Sequence, residues 1–144
     1  MSRIETARLR TLGDVQAVPR ATTKGELETK LDRAIGNKAF RLLDAKNLRA
    51  WAFAVKTRDR WRDRKTGLRL RRCLELDPLR AEAHHLAVKD DWAVRYDVRA
   101  GICLSLATHD AVTRGVIGIE GTAWFNVKGT RYIDATFPVI FVRL

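Results

Sequence analysis

A chain of 144 residues, 46% of them hydrophobic, is long enough to bury one core and short for two ordinary domains. Its formal net charge of +11 is uneven, with 20 Lys/Arg against 8 Asp/Glu in residues 1–72 and 8 against 9 in residues 73–144. No run of about 18 apolar residues occurs, which excludes a transmembrane helix, and the basic first half is the footprint of a polyanion binder, with nucleic acid expected ahead of an anionic membrane or an acidic protein.

Residues 1–22 mix Arg, Thr, Gly13 and Pro19 without periodicity and are expected to be a basic flexible arm. Residues 23–144 are expected to form a single domain. From Thr23 the pattern is helical: Leu27, Leu31 and Ile35 recur at spacing four, Glu26 and Glu28 suit the positive end of the dipole, and Gly36-Asn37 predicts a stop. A second short helix is expected around Ala39–Leu43. A third begins at Leu48, with Leu48, Trp51, Ala52 and Val55 as its packing stripe.

After the turn signal Lys65-Thr66-Gly67, residues 68–76 alternate Leu with Arg and predict strand-like material up to a turn at Asp77-Pro78. Ala81–Leu86 is a short strand ending in paired histidines, 87–99 a charged loop, Gly101–Leu106 a second apolar strand, and Thr108–Arg114 a short helix stopped by Gly115. The tail, 116–144, is β-rich, with a hairpin turn expected at Lys128-Gly129-Thr130. Cys73 and Cys103 form no CxxC pair and fit two reduced thiols. With no apolar signal-peptide core near the N-terminus, a cytoplasmic protein is expected.

The chemistry concentrates in one place. All three histidines, His84, His85 and His109, lie in a 26-residue window that runs strand, loop, strand, helix. Hydrolysing a phosphodiester near neutral pH needs a divalent cation to neutralise developing charge and a base to activate water. Neutral imidazole can serve as metal ligand or as base. Adjacent strand residues face opposite sides, so His84 and His85 must divide these tasks. Glu82 shares the strand face of His84 and is expected to be an exposed carboxylate. The run Arg58, Arg60, Arg62, Arg64 and Lys65, with Trp61 inside it, is a candidate grip on phosphates, a solvated basic turn being the alternative.

These residues resemble the HNH (His-Asn-His, ββα-metal) nuclease superfamily, which includes the colicin DNases and the nuclease domain of RNA-guided DNA cutters. The resemblance spans about residues 48–114: Glu82-Ala-His-His-Leu86 looks like the family's histidine motif, and Asp97 to His109 looks like its Asn-to-His segment. It implies His84 and His109 as metal ligands and His85 as general base. Three departures follow. Ala100 stands where the family has the Asn that orients the base. The positions of the zinc-knuckle thiols correspond to Asp63, Thr66, Ser105 and Thr108, so no structural zinc is expected. A further ligand position falls on Thr113, leaving two imidazoles plus water and phosphate, which suits magnesium or manganese.

The expected fold class is α+β: N-terminal helices, a ββα-metal module at about 80–115, and a C-terminal hairpin or small antiparallel sheet. The expected function is metal-dependent hydrolysis of nucleic acid, DNA ahead of RNA. The rivals are a nucleic-acid binder that keeps the fold without turnover, and an RNA nuclease or toxin domain.

Overall fold

The structure, a computed structural model, describes the backbone of residues 24–88 and 91–144 and the side chains of residues 38–88 and 91–144. The expected basic arm of residues 1–22 lies outside the described residues. The architecture is α+β: α1 (Lys24–Arg58), β1 (Ala81–His85), a 3-10 turn (Val98–Ala100), β2 (Gly101–Ser105), α2 (Leu106–Thr113), β3 (Ile117–Gly121), β4 (Trp124–Val127), β5 (Thr130–Ile133) and β6 (Val139–Arg143). Its contacts fall into two compact units. One comprises described residues through Ala54 together with Ala87–Asp97, and the other Val55–Leu86 with Val98–Leu144.

In the first unit, a single helix replaces the three that Gly36-Asn37 and Asp44–Asn47 predicted. A mid-helix glycine costs only about 1 kcal/mol, and tertiary contacts further along outweigh the turn propensities of Asp44 and Asn47. Phe40, Asn47, Trp51 and Ala54 form a buried stripe at helical spacing. Asn47 donates to the Leu43 carbonyl one turn back, at 2.8 Å. Asp44 accepts both arms of the Arg95 guanidinium, at 2.9 and 3.0 Å, and the Tyr96 hydroxyl. Burial and the Asp44 carboxylate push the Tyr96 phenol above its ordinary range. The charged loop expected at 87–99 thus docks through its aromatic residues: Trp92 is buried against Phe40, their centroids 5.6 Å apart, with Arg95 stacked at 4.4 Å.

In the second unit, β1 and β2 pair antiparallel, Ala81 opposite Ser105 and His85 opposite Gly101. β3 pairs with β6, and β4 with β5. The β4–β5 connection uses positive φ at Lys128 (49°) and Gly129 (84°), the hairpin turn that dipeptide predicts. Ile102, Leu104 and Ala135 form a buried core with Leu86, Val112, Ile119, Val139 and Phe141, while Leu70, Ala81 and Cys103 pack with Trp61 and Leu79. Burial drives the Cys103 thiol up to about 12, so it is an inert apolar group.

Residues 68–76 are no strand. Only isolated bridges form, Arg62 with Arg69 and Arg71 with Arg80. Leu70 is buried, whereas Leu74 and Leu76 face solvent, so alternation along this run meets no second surface to cover it.

Candidate metal and nucleic-acid site

The outer edge of β2 shows how the basic run is used. A strand paired on one side leaves N–H and C=O groups open on the other. Here the side chains of Asp59 and Arg58 and the backbone of Arg64 close them. Asp59, its side chain 4% exposed, accepts the Cys103 N–H at 2.9 Å, and the Arg64 N–H donates to the Cys103 carbonyl at 3.1 Å. Arg58 donates to the carbonyls of Val98 at 2.6 Å and Gly101 at 2.7 Å, and Arg64 to those of Ala135 at 2.7 Å and Phe137 at 2.9 Å. Both guanidiniums also pair with Asp59. Arg58 and Arg64 are therefore parts of the scaffold, whereas Arg60, Arg62 and Lys65 are exposed, Arg62 donating one N–H to the Gly67 carbonyl at 3.1 Å. Trp61 is half-buried, with Arg72 over its ring at 4.0 Å and Lys56 at 5.5 Å. The sequence carried one sign of this division, the acidic Asp59 between Arg58 and Arg60.

The helix end delivers this run. Trp61 N–H donates to the Lys56 carbonyl at 2.8 Å and Arg60 N–H to that of Thr57 at 3.0 Å, the hydrogen-bond pair of a Schellman motif. Its left-handed position, ordinarily glycine, is Arg60, with φ of 59°.

Helix α2 carries the last histidine, and its first turn is tightly tied. Its leading N–H groups have no partner within the helix. Leu106 donates to the Arg80 carbonyl at 2.8 Å, Ala107 to that of Pro78 at 3.2 Å, and Thr108 to the Ser105 hydroxyl at 3.0 Å. Gly115, at φ of 77°, follows the helix end. Thr108 Oγ1 donates to Asp63 Oδ2 at 2.8 Å, the Thr66 hydroxyl donates to the same oxygen at 3.1 Å, and the Lys65 N–H reaches Asp63 Oδ1 at 3.1 Å. Asp63, Ser105 and Thr108 are buried. The four residues that correspond to the knuckle thiols in the resemblance thus meet in space and bind one another.

One residue beyond this brace, His109 stands beside His84, their ring centroids 5.0 Å apart and their planes at 62°. His84 lies opposite Ile102 on the strand pair, and Glu82 opposite Leu104. Glu82 is half-buried rather than exposed: one carboxylate oxygen pairs with Arg80 Nε at 2.7 Å and the other lies 3.8 Å from His109 Nδ1. Burial, reinforced by the charges that His109 and His85 can carry, lowers His84 to about 4. The imidazole is neutral at pH 7 and its lone pair is available to a ligand. Two rings at this separation can both present a nitrogen to an ion between them, and the neutral state of His84 fits that use. Among the described residues no three His, Cys, Asp or Glu side chains form a group that could hold a metal ion, so any ion there would rely on water or phosphate for its remaining positions. Thr113, at the ligand position raised by the resemblance, is exposed at the end of α2.

His85 is the last residue of β1, half-buried, and by strand alternation on the opposite side from His84. Across from it are Gly101 and the buried Ala100, whose carbonyl accepts the Leu86 N–H at 2.8 Å. The structure brings His84 and His109 together and leaves His85 flanking them at the strand end. Sequence reasoning passed over Arg80, although its spacing of two from Glu82 and four from His84 places all three on one strand face.

No family model, curated protein or solved structure matches the chain. Among the described residues no helix is long and apolar enough to cross a membrane.

Proposed function

We propose that this protein is a divalent-metal-dependent nuclease that hydrolyses phosphodiester bonds in DNA. One observation carries the proposal: the hairpin-plus-helix unit sets the neutral imidazole of His84 against His109, 5.0 Å between centroids, in a strongly basic chain. The meeting of Asp63, Thr66, Ser105 and Thr108 supports the HNH reading from a second part of the unit. His84 and His109 would hold magnesium or manganese, which would supply positive charge against the charge that develops on the phosphate oxygens. His85 takes the proton from the attacking water. Arg60, Arg62 and Lys65 hold flanking phosphates, while Arg58 and Arg64 support β2. Glu82, with a carboxylate oxygen 3.8 Å from His109 Nδ1, sets a negative charge beside that ring.

A second reading, a DNA-binding protein with the same fold and no turnover, is favoured by one specific observation. Ala100 stands where the resemblance places the Asn that orients the base, and a methyl group offers an imidazole no hydrogen bond. Incubating supercoiled plasmid with magnesium, manganese or chelator separates the two. Metal-dependent nicking that disappears in His85→Ala supports the enzyme, and gel shift without nicking supports the binder. The same assay on RNA tests the substrate.

A further inference from the structure

Residues 71–79 form a loop that presents two large apolar side chains to solvent, Leu74 at 94% exposure and Leu76 at 83%. The loop is firmly held. At its base Arg71 N–H donates to the Leu79 carbonyl at 2.8 Å and Ala81 N–H to that of Arg71 at 3.0 Å. Asp77 accepts the Leu79 N–H at 2.8 Å and pairs with the Arg71 guanidinium at 2.9 Å. At its tip Arg80 Nη1 donates to the carbonyls of Leu74 at 2.9 Å and Glu75 at 3.3 Å. The same guanidinium, through Nε, holds Glu82, the carboxylate beside His109. Arg69, Arg71 and Arg72 are exposed on the approach to the tip.

We infer that this loop is a DNA wedge: Leu74 and Leu76 enter a groove of the duplex and part a base step next to the phosphodiester presented to His84 and His109, while Arg69, Arg71 and Arg72 contact flanking phosphates. The inference rests on the nuclease reading for the identity of the substrate. Apolar side chains inserted between base steps unstack them at a cost of a few kcal/mol, offset by the contacts a kinked duplex allows. A tip already fixed by Arg80 has little ordering left to do on binding. The three arginines match a polyanion. The Arg80 link ties the tip to the imidazole pair, which places the kink where the substrate strand must be exposed, a requirement a membrane or a protein groove does not share.

The test uses the full chain and a short duplex carrying 2-aminopurine, with chelator present so that binding is read without cleavage. Wild-type protein is expected to raise 2-aminopurine fluorescence on binding. The double variant Leu74→Ser/Leu76→Ser, altered at exposed positions and checked for native circular dichroism, is expected to bind about tenfold more weakly. It should show no fluorescence rise and an unchanged salt dependence. Arg69→Ala/Arg72→Ala, which leaves the Arg71–Asp77 pair of the loop base intact, should instead flatten the salt dependence, by a slope of about two. Wild-type affinity and fluorescence rise in the leucine variant would overturn the wedge. So would a leucine-dependent attachment to anionic phospholipid vesicles with DNA binding unaffected. The nuclease reading is judged separately by plasmid nicking. Nicking with a leucine-independent fluorescence signal removes the wedge alone, and a leucine-dependent signal without metal-dependent nicking removes the nuclease alone.

Discussion

Two polar clusters sit on consecutive residues of α2 and behave in opposite ways. Thr108 points into Asp63 and Ser105, buried with it, and hydroxyls and a carboxylate satisfy one another there, joined from the surface by the exposed Thr66. His109 points to His84 and Glu82, where the groups are half-buried, the nearest carboxylate oxygen is 3.8 Å away, and His84 is held neutral by burial. A buried polar group with its partners present contributes rigidity. A partly exposed one whose lone pair is available can take a ligand. One residue step along the helix thus separates a brace from a site, and each can be broken without the other.

The largest effect is expected at the site. His84→Ala or His109→Ala should abolish manganese binding by calorimetry while leaving urea stability close to wild type. Unchanged affinity in both variants would remove the metal assignment. The brace should respond in the reverse sense. Asp63→Ala leaves Thr108, Thr66 and the Lys65 N–H without their acceptor and should lower stability by about 3 kcal/mol in urea melts. Thr108→Val should cost about 1 kcal/mol. If Asp63→Ala left stability intact, the cluster would not be the joint described.

A smaller effect is expected at Ala100, whose carbonyl accepts the Leu86 N–H just past His85. Ala100→Asn should raise the nicking rate about tenfold by orienting the base, with manganese affinity nearly unchanged. An unaltered rate, with His85→Ala still inactive, would mean that another residue orients the base.

The smallest effect concerns pH. His84 titrates at 6.5 in the unfolded chain and about 4 in the folded one, so between those values the unfolded state binds more protons. Stability of the metal-free protein should therefore fall as pH drops from about 6.5 towards 4 and level off below. Glu82, His85 and His109 are ionisable neighbours of His84, so the difference in slope between wild type and His84→Ala isolates this contribution. Equal slopes would show that His84 is not desolvated.

The fold was legible where periodicity and turn chemistry agree. The strand ending in His84-His85, the strand from Gly101, the helix through His109 and the Lys128-Gly129 turn all lie where local pattern places them. The failures have physical causes. Gly36-Asn37 is a turn signal worth about 1 kcal/mol, which a long helix can override. Residues 68–76 alternate like a strand, but no second surface meets Leu74 and Leu76. The 87–97 segment looked like a solvated loop because charge dominates its composition, while Trp92, Arg95 and Tyr96 decide where it packs. At the candidate site, the histidine cluster was visible from spacing alone. The division of the arginines was not, because whether a guanidinium faces a carbonyl or solvent depends on which strand edge lies beside it.

The brace around Asp63 has a further consequence for how the protein is made. A joint built on thiolates and a bound ion assembles only when the metal is delivered and the sulfurs stay reduced. Hydroxyls and a carboxylate carry no such dependence. Closing this joint therefore asks for neither delivered metal nor reduced sulfur, so chelators and oxidants leave it intact.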